Sequence, residues 1–250
     1  MGALVAIAFA TGCGSNQAGT TCADDAGTVG TDAAANEGSA GDAEAGKPFA
    51  PTQLRSFESN AEGISDACKV KDFTKAAAIL GEAKTNWMAL KPQVVSAGAT
   101  AATVVKIDDT LTTITTDIGA MMQRACESDA NVVTLAVPDL FDLFFYPVPS
   151  DALRGDGVFR QLQIDGEYAD FTAATPDLAA TKAVWARLKP LAAAQAPTRA
   201  DIPGAATVVP DMDKAIADCA TAIGANDAAA LQTASQAGLD AIDTVETIFK

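Results

Sequence analysis

Two segments of this 250-residue chain have nearly the same sequence, and together they contain both of its tryptophans. Residues 86–92 read NWMALKP and residues 184–190 read VWARLKP. Aligning residues 72–92 with residues 170–190 gives 10 identities over 21 positions without a gap. This duplication constrains the fold more than any other feature, because both copies are expected to place equivalent residues in equivalent core positions.

Apolar residues within each copy follow the period of an α-helix. Phenylalanine, leucine and tryptophan recur every seven residues, which places them on one helical face. Pro92 and Pro190 discourage continuation of these helices, and Pro176 predicts a late start or a kink in the second one. The residues predicted to form the repeat core are Phe73, Leu80 and Trp87 in the first copy and Phe171, Leu178 and Trp185 in the second.

Further matches extend the duplication beyond the tryptophan segments. AATVV occurs at residues 101–105 and again at residues 205–209. Residues 135–145 also resemble residues 239–249 in the spacing of apolar residues and acids. Both matches have an offset of 104 positions instead of 98, so we predict a longer loop after the second tryptophan helix.

The predicted fold is all-α. It consists of two tandem antiparallel helical-bundle repeats packed together, over residues 51–147 and 148–250, with about four helices in each. Composition agrees with this prediction, because 49% of the residues are hydrophobic and only 6% are aromatic. Much of the apolar content is alanine, which favours closely packed helices.

The N-terminal fifty residues differ from the rest. The apolar run within residues 1–12 is too short to span a bilayer and is typical of an export signal. The sequence ATGC at residues 10–13 resembles the bacterial lipobox, which implies a lipoprotein signal peptide over residues 1–12 and lipid attachment at Cys13. No Lys or Arg precedes the apolar run, and a plain signal peptide is the alternative.

Residues 13–50 are rich in Gly, Ala and acidic residues and contain few large apolar side chains. Such a segment cannot bury enough surface to offset its ordering entropy, so we predict a disordered tether. Gly14, and not aspartate, follows Cys13. The lipobox resemblance therefore implies an exported protein anchored in the outer membrane, facing either the periplasm or the outside.

The chain contains no histidine and has a net charge of −15. The first property excludes Ser-His-Asp and Cys-His catalysis and histidine-ligated zinc, and the second disfavours nucleic acid as a partner. We expect no cofactor and no metal site. Asp108 with Asp109 and Asp211 with Asp213 lack the calcium-loop pattern and are predicted to lie on solvated helical faces.

Cys68 and Cys126 are the cysteines with a plausible partner. We expect Cys68 near the end of the first helix of the first repeat and Cys126 near the end of the third, at the same pole of the bundle. A disulfide between them is therefore predicted, with free buried thiols as the alternative. Cys22 and Cys219 have no clear partner.

The densest aromatic cluster lies where the two predicted repeats meet, within residues 138–149. We interpret it as a packed hinge that joins the two bundles. The alternative is a hydrophobic pocket between the repeats. The cluster consists of Phe141, Phe144, Phe145 and Tyr146.

The combination of lipobox, acidic tether and tandem helical repeats resembles uncharacterised lipoproteins of bacterial envelopes. It is more distantly similar to imelysin-like proteins, which also contain duplicated helical bundles. The HxxE metal motif of that family cannot exist here, since histidine is absent. We expect a non-enzymatic, lipid-anchored envelope module that binds an unidentified partner or small ligand. The alternative is a structural or scaffolding lipoprotein without a small ligand.

Overall fold

The computed structural model describes residues 46–250, and the all-α prediction is confirmed for this part of the chain. The predicted signal peptide, Cys13 and most of the predicted tether lie outside the described residues. Eight α-helices, all packed antiparallel to their sequence neighbours, make up the described fold. They are α1 (Thr52–Lys69), α2 (Phe73–Ala97), α3 (Ala101–Gly119), α4 (Gln123–Phe141), α5 (Ser150–Glu167), α6 (Phe171–Gln195), α7 (Val208–Ala225) and α8 (Ala228–Phe249).

The first four helices and the last four repeat the same packing arrangement. Helix α1 packs against α2 and α4, and α3 packs against the same two helices; α5 to α8 repeat this pattern. Helices α1 and α5 begin and end 98 positions apart, as do α2 and α6. Helix α4 packs on α5, and one hydrophobic core runs through both halves. The two tandem repeats are therefore packed together as predicted.

Four turns of the same kind connect successive helices into four hairpins, which are α1–α2, α3–α4, α5–α6 and α7–α8. In each turn one non-glycine residue has a left-handed backbone, with φ between 51° and 60°. Its N–H bonds to the carbonyl three positions back, and the next N–H bonds to the carbonyl five positions back. This is the Schellman ending of a helix, which satisfies otherwise unpaired carbonyls. The left-handed residues are Lys71, Met121, Ala169 and Asn226.

All four hairpin turns lie at one pole of the molecule. The Gln123 side chain donates to the Lys69 carbonyl, which brings the first two turns together. Tyr168 donates to Glu127, and the Gln232 amide donates to the Gly166 carbonyl, which adds the other two. We call this end the hairpin-turn pole.

The prediction that Pro92 and Pro190 end their helices is wrong. Helices α2 and α6 continue through these prolines to Ala97 and Gln195, and α6 also begins before Pro176. An interior proline removes one helical hydrogen bond. Burial of Leu90 and Val94 on either side of Pro92, and of Leu188 and Ala192 around Pro190, holds these helices together nonetheless.

The longer loop of the second repeat is present between α6 and α7. Ala205–Thr207 forms a short 3₁₀ turn, whereas the matching AATVV copy forms the first turn of α3. After this turn the offset between the repeats is 105 positions, since the left-handed residues Met121 and Asn226 are 105 apart, one more than the offset of the AATVV match.

The predicted tether ends earlier than residue 50. The Phe145 N–H donates to the Pro48 carbonyl at 2.7 Å, and the Ala50 N–H donates to the Phe145 carbonyl at 3.0 Å. The Phe49 ring also packs edge-on against the Phe145 ring. These contacts order residues 48–50 on the junction between the repeats, because backbone pairing and ring contact offset the entropy of ordering.

Candidate binding groove between the repeats

A polar groove of about 990 Å³ lies between the two repeats. Helix α1 of the first repeat forms one wall, and α5 and α8 of the second repeat form the other. Seven carboxylates and four cationic side chains line it. The carboxylates are Glu58, Glu62, Asp66, Glu82, Asp156, Asp243 and Glu246, and the cations are Arg55, Lys69, Arg160 and Lys250. We call this cavity the inter-repeat groove.

Helical periodicity explains how α1 contributes to the groove. Glu58, Glu62 and Asp66 recur every four residues and therefore project from one face. The opposite face of α1 is buried in the bundle core through Phe57 and Ile64, among others. The sequence analysis did not single out this acidic stripe, although its spacing opposite an apolar stripe was a readable signal.

Arg160 of α5 neutralises the acids at the centre of the groove. Its Nε donates to Asp156 Oδ2 at 2.7 Å, and its Nη1 donates to Asp66 Oδ1 at 2.8 Å. Glu62 Oε2 lies 3.8 Å from Arg160 Nη2. The three carboxylates share one guanidinium, so negative charge remains in excess there.

Glu58 lies one helical turn from Glu62. Burial, followed by nearby Glu246 and Asp156, raises the pKa of Glu58 to about 8. Lys250 and Arg55 offset this rise, but only in part. Burial and then Asp156 raise the pKa of Glu62 to about 9. Both pKa values are elevated mainly by burial, and the cations of the groove offset that effect only in part.

The far end of the groove is formed by α8 and the junction. Lys250 Nζ donates to Glu246 Oε2 at 3.0 Å. Burial is the main cause that raises the pKa values of Glu246 and Asp243. Tyr146, which follows α4, also lines this end. An ammonium or guanidinium group placed between these acids would stabilise their ionised forms.

The predicted aromatic cluster forms the joint between α4 and α5. Phe141 and Phe144 are buried, and the Phe141 ring centre lies 4.7 Å from that of Tyr146. Phe145 pairs with residues 48–50 as described above. The cavity beside the cluster measures only about 210 Å³, so the larger space between the repeats is the polar groove.

The predicted core residues occupy matching places in the two repeats. Leu80, Trp87, Leu178 and Trp185 are buried, whereas Phe73 and Phe171 are half-buried at the first residue of their helices. Asp72 and Asp170 precede them and accept a hydrogen bond from the backbone three positions on. These aspartates act as N-caps.

Each tryptophan is joined to the next helix by the same three-residue arrangement. The Trp87 indole N–H donates to Asp108 Oδ1 at 2.7 Å, and Lys91 Nζ donates to Asp108 Oδ2 at 2.5 Å. These hydrogen bonds to Asp108 lower its pKa despite the opposing effect of desolvation. Asp108 was expected only to face solvent, but it is the acceptor that satisfies a buried indole.

The second repeat has the equivalent contacts. The Trp185 indole N–H donates to Asp213 Oδ1 at 2.7 Å, and Lys189 Nζ donates to Asp213 Oδ2 at 2.6 Å. The two tryptophans therefore have like polar surroundings.

A disulfide joins Cys68 to Cys126, with their Cα atoms 6.0 Å apart. Cys126 lies in the first turn of α4, and not near the end of α3 as expected, but both cysteines are at the hairpin-turn pole. Cys219 is buried with a free thiol, and burial raises its pKa to about 12. Cys22 lies outside the described residues.

Comparison with known proteins found no matching family model, no similar curated protein and no similar solved structure. Among residues 46–250, no helix is both long and apolar enough to cross a membrane. Within the same residues, no group of three or more Cys, Asp or Glu side chains is arranged to hold a metal ion. The groove is therefore the feature from which a function is inferred.

Proposed function

We propose that this protein is a non-enzymatic binding module and that its inter-repeat groove binds a small organic cation carrying ammonium or guanidinium groups. The observation that carries the proposal is the cavity of about 990 Å³ between the repeats, in which seven carboxylates face four cations. This volume is at the upper end of the range typical of small-molecule sites, about 300–1,000 Å³.

The charge distribution sets the class of ligand. Lys250 and Arg55 offset the burial of Glu58 only in part, and its raised pKa reports an unfavourable ionised state. A bound cation would supply the missing charge, whereas an anion would meet the acids of both walls. Binding should therefore release protons from the ligand-free groove and tighten as the pH rises toward 9.

We also propose that the module is lipid-anchored in the cell envelope through Cys13. The lipobox-like ATGC supports this part of the proposal. The outer membrane is the proposed location, because Gly14 follows the cysteine in place of aspartate. Labelling with a fatty-acid analogue should mark the natural chain and fail to mark Cys13→Ser, and membrane fractionation should release that variant.

Isothermal titration tests the ligand class with spermidine, a linear diamine and arginine amide as probes, each at pH 6 and pH 9. We expect binding that is tighter at pH 9 and is weakened at least tenfold by Glu58→Gln. Asp201→Asn is the matched control, because Asp201 is exposed and lies outside the groove.

Two results would count against a cation site. One is a binding heat no greater than that produced by sodium chloride of equal ionic strength, and the other is unchanged affinity in Glu58→Gln. If no small molecule binds while envelope proteins crosslink to the chain, the scaffolding alternative is favoured.

A further inference from the structure

Two carboxyl pairs lie outside the groove, each inside a helical hairpin. In the α3–α4 hairpin, the Asp117 carboxyl faces that of Asp129, whose pKa is raised by burial and by Asp117. In the α5–α6 hairpin, the Asp177 carboxyl faces that of Asp165, whose pKa is raised by burial and by Asp177. Ionised carboxylates are acceptors only, so the two carboxyls of a pair can hydrogen-bond to each other only if one of them carries a proton.

The two pairs occupy the same place relative to the turn. Asp117 lies four positions before the left-handed Met121, and Asp129 lies eight positions after it. Asp165 and Asp177 have the same positions relative to the left-handed Ala169. In the first and fourth hairpins the equivalent positions are all apolar: Ala67 with Ile79, and Ala222 with Ala234. The hairpin fold therefore does not require carboxyl groups at these positions.

Burial makes these pairs sensitive to protonation. Asp117 and Asp165 are 5% and 1% exposed. The Oδ2 atom of each is buried, and no N–H or hydroxyl group in the described part of the chain donates to it. Ionising both members of a pair would leave two adjacent charges in a desolvated site, which strongly disfavours the packed state.

No cation in the described part of the chain offsets the raised pKa of Asp129. Helix α3 packs against α2 and α4. Lys84 of α2 reaches α3, but its Nζ donates to Thr115 and not to the pair. From α4, Asp129 is the facing acid.

The surroundings of Asp165 are similar. Gln161 on the same helix donates to its Oδ1, and Asn131 of α4 donates to Gln161. From α6 the facing groups are Asp177 and, at longer range, Asp170, whose own cationic partner is Arg124. The α8 residue at this level is the uncharged Gln232, next to Gly166.

We propose that the two carboxyl pairs form proton-dependent contacts. These contacts hold the α3–α4 and α5–α6 hairpins closed at the hairpin-turn pole. Each pair shares one proton in the folded protein, and loss of that proton separates the two helices of its hairpin. The pole is then firmly packed in acid and loosens in mild alkali.

The direction of the pH effect follows from the pKa values. Burial, followed by the facing Asp117, raises the pKa of Asp129 to about 6. Burial, followed by the facing Asp177, raises the pKa of Asp165 to about 7. In the unfolded chain both groups ionise near pH 4, so the folded protein holds the extra protons between pH 4 and about 7. The stabilisation of the folded state by the two carboxyl pairs is fully present below pH 4 and is lost progressively as the pH rises through 6 and 7.

The test compares thermal unfolding of the full chain at pH 5 and pH 8.5. The variant Asp117→Asn/Asp165→Asn replaces one member of each pair with an amide, which cannot ionise and can donate to the remaining carboxylate. Glu58 and Glu62 of the groove also have raised pKa values, so the comparison is made in a Glu58→Gln/Glu62→Gln background. In that background we expect the Tm to fall by on the order of 10 °C between the two pH values, and the fall to be at least halved by the double substitution. Asp201→Asn in the same background should leave the fall unchanged.

Two further measurements keep the proposal testable if the double variant folds poorly. Asp129→Asn and Asp177→Asn alter the less buried members and should flatten the same pH profile. In the natural chain, the infrared carbonyl band of protonated carboxyl groups should persist at pH 6 and weaken in each of these variants. The proposal would be overturned if Tm depended on pH in the same way with and without these substitutions. It would also be overturned if the substitutions left the infrared carbonyl band unchanged.

Discussion

The two repeats share their helices and turns but fill their interiors with different side chains. In the first repeat the Phe57 ring stacks on Trp87 with centroids 5.3 Å apart. The position 98 residues later is Gly155, which packs closely against Ile242. Trp185 therefore keeps the polar contacts of Trp87 without the stacked phenylalanine.

The missing aromatic ring reappears one helical turn further along α5. Phe159 is equivalent to Ala61 of α1, and its ring packs against Gly238 of α8. In the first repeat, position 133 on α4 corresponds to Gly238 and is occupied by a buried valine. Large and small residues have exchanged places while the helices remain equivalent. A duplicated backbone thus tolerates different cores when volumes change in complementary pairs.

The same exchange explains why only one repeat has the disulfide. Cys68 and Cys126 correspond to Gly166 and Leu231 in the second repeat. A Cβ atom at position 166 would lie 3.3 Å from Leu231 and 3.1 Å from its neighbour Gln232. A covalent bond fastens the hairpin-turn pole of one bundle, and close helix packing fastens that of the other.

The repeats also differ in the helices that face the groove. Glu58 and Glu62 of α1 correspond to Asp156 and Arg160 of α5. The α5 pair forms its own ion pair at 2.7 Å, whereas the α1 pair consists of two acids. At these positions the α1 wall therefore presents two acids where the α5 wall presents a neutral ion pair.

Removing the disulfide should have the largest effect on this comparison. The bond closes a loop with a sequence separation of 58 residues, so its loss is expected to lower the free energy of unfolding by about 4 kcal/mol. Urea unfolding of Cys126→Ala measures this loss, and hydrogen exchange should show it mainly in α1 to α4.

A reducing agent should reproduce the effect in the natural chain and add nothing in the variant. An unchanged urea midpoint after reduction would contradict this prediction, as would equal loss of exchange protection in both repeats.

Exchanging the packing of one repeat for that of the other should have the next largest effect. A Cβ at position 238 would lie 2.2 Å from the Phe159 ring, so Gly238→Val should destabilise the protein by about 3 kcal/mol. Phe159→Ala alone should cost about 3–5 kcal/mol because it leaves a cavity. The double variant recreates the Ala61 and Val133 pair of the first repeat and should recover most of the loss. Chemical unfolding of all four proteins measures the coupling.

The single-variant effects should therefore be strongly non-additive. Simple addition of the two losses would show that the exchanged residues are not complementary, and the inferred equivalence of the two cores would fail.

The smallest effect is expected where the repeats are most alike. Asp108→Ala and Asp213→Ala each remove the acceptor of a buried indole N–H, and each should cost about 1 kcal/mol because the carboxylates are partly exposed. Thermal unfolding and tryptophan fluorescence should report similar changes for both. Losses that differ by more than about 1 kcal/mol would show that the two tryptophan sites are not equivalent.

Several features of the fold were predictable from local sequence alone. The seven-residue spacing of Phe, Leu and Trp, with an N-capping aspartate before each run, is sufficient to predict two matching helices. Pro92 was misread because local rules count the lost hydrogen bond and not the burial of Leu90 and Val94 beside it. Asp108 was misread because its indole partner lies on a different helix.

The sequence by itself determined that the chain is helical and duplicated, since the helical period and caps involve residues only a few positions apart. Only the tertiary structure decided where Glu58 lies relative to Glu246, and which acids share a hairpin interior. Those positions are brought together by packing between helices distant in the chain. Charge excess and desolvation arise from that packing, and no local pattern encodes them.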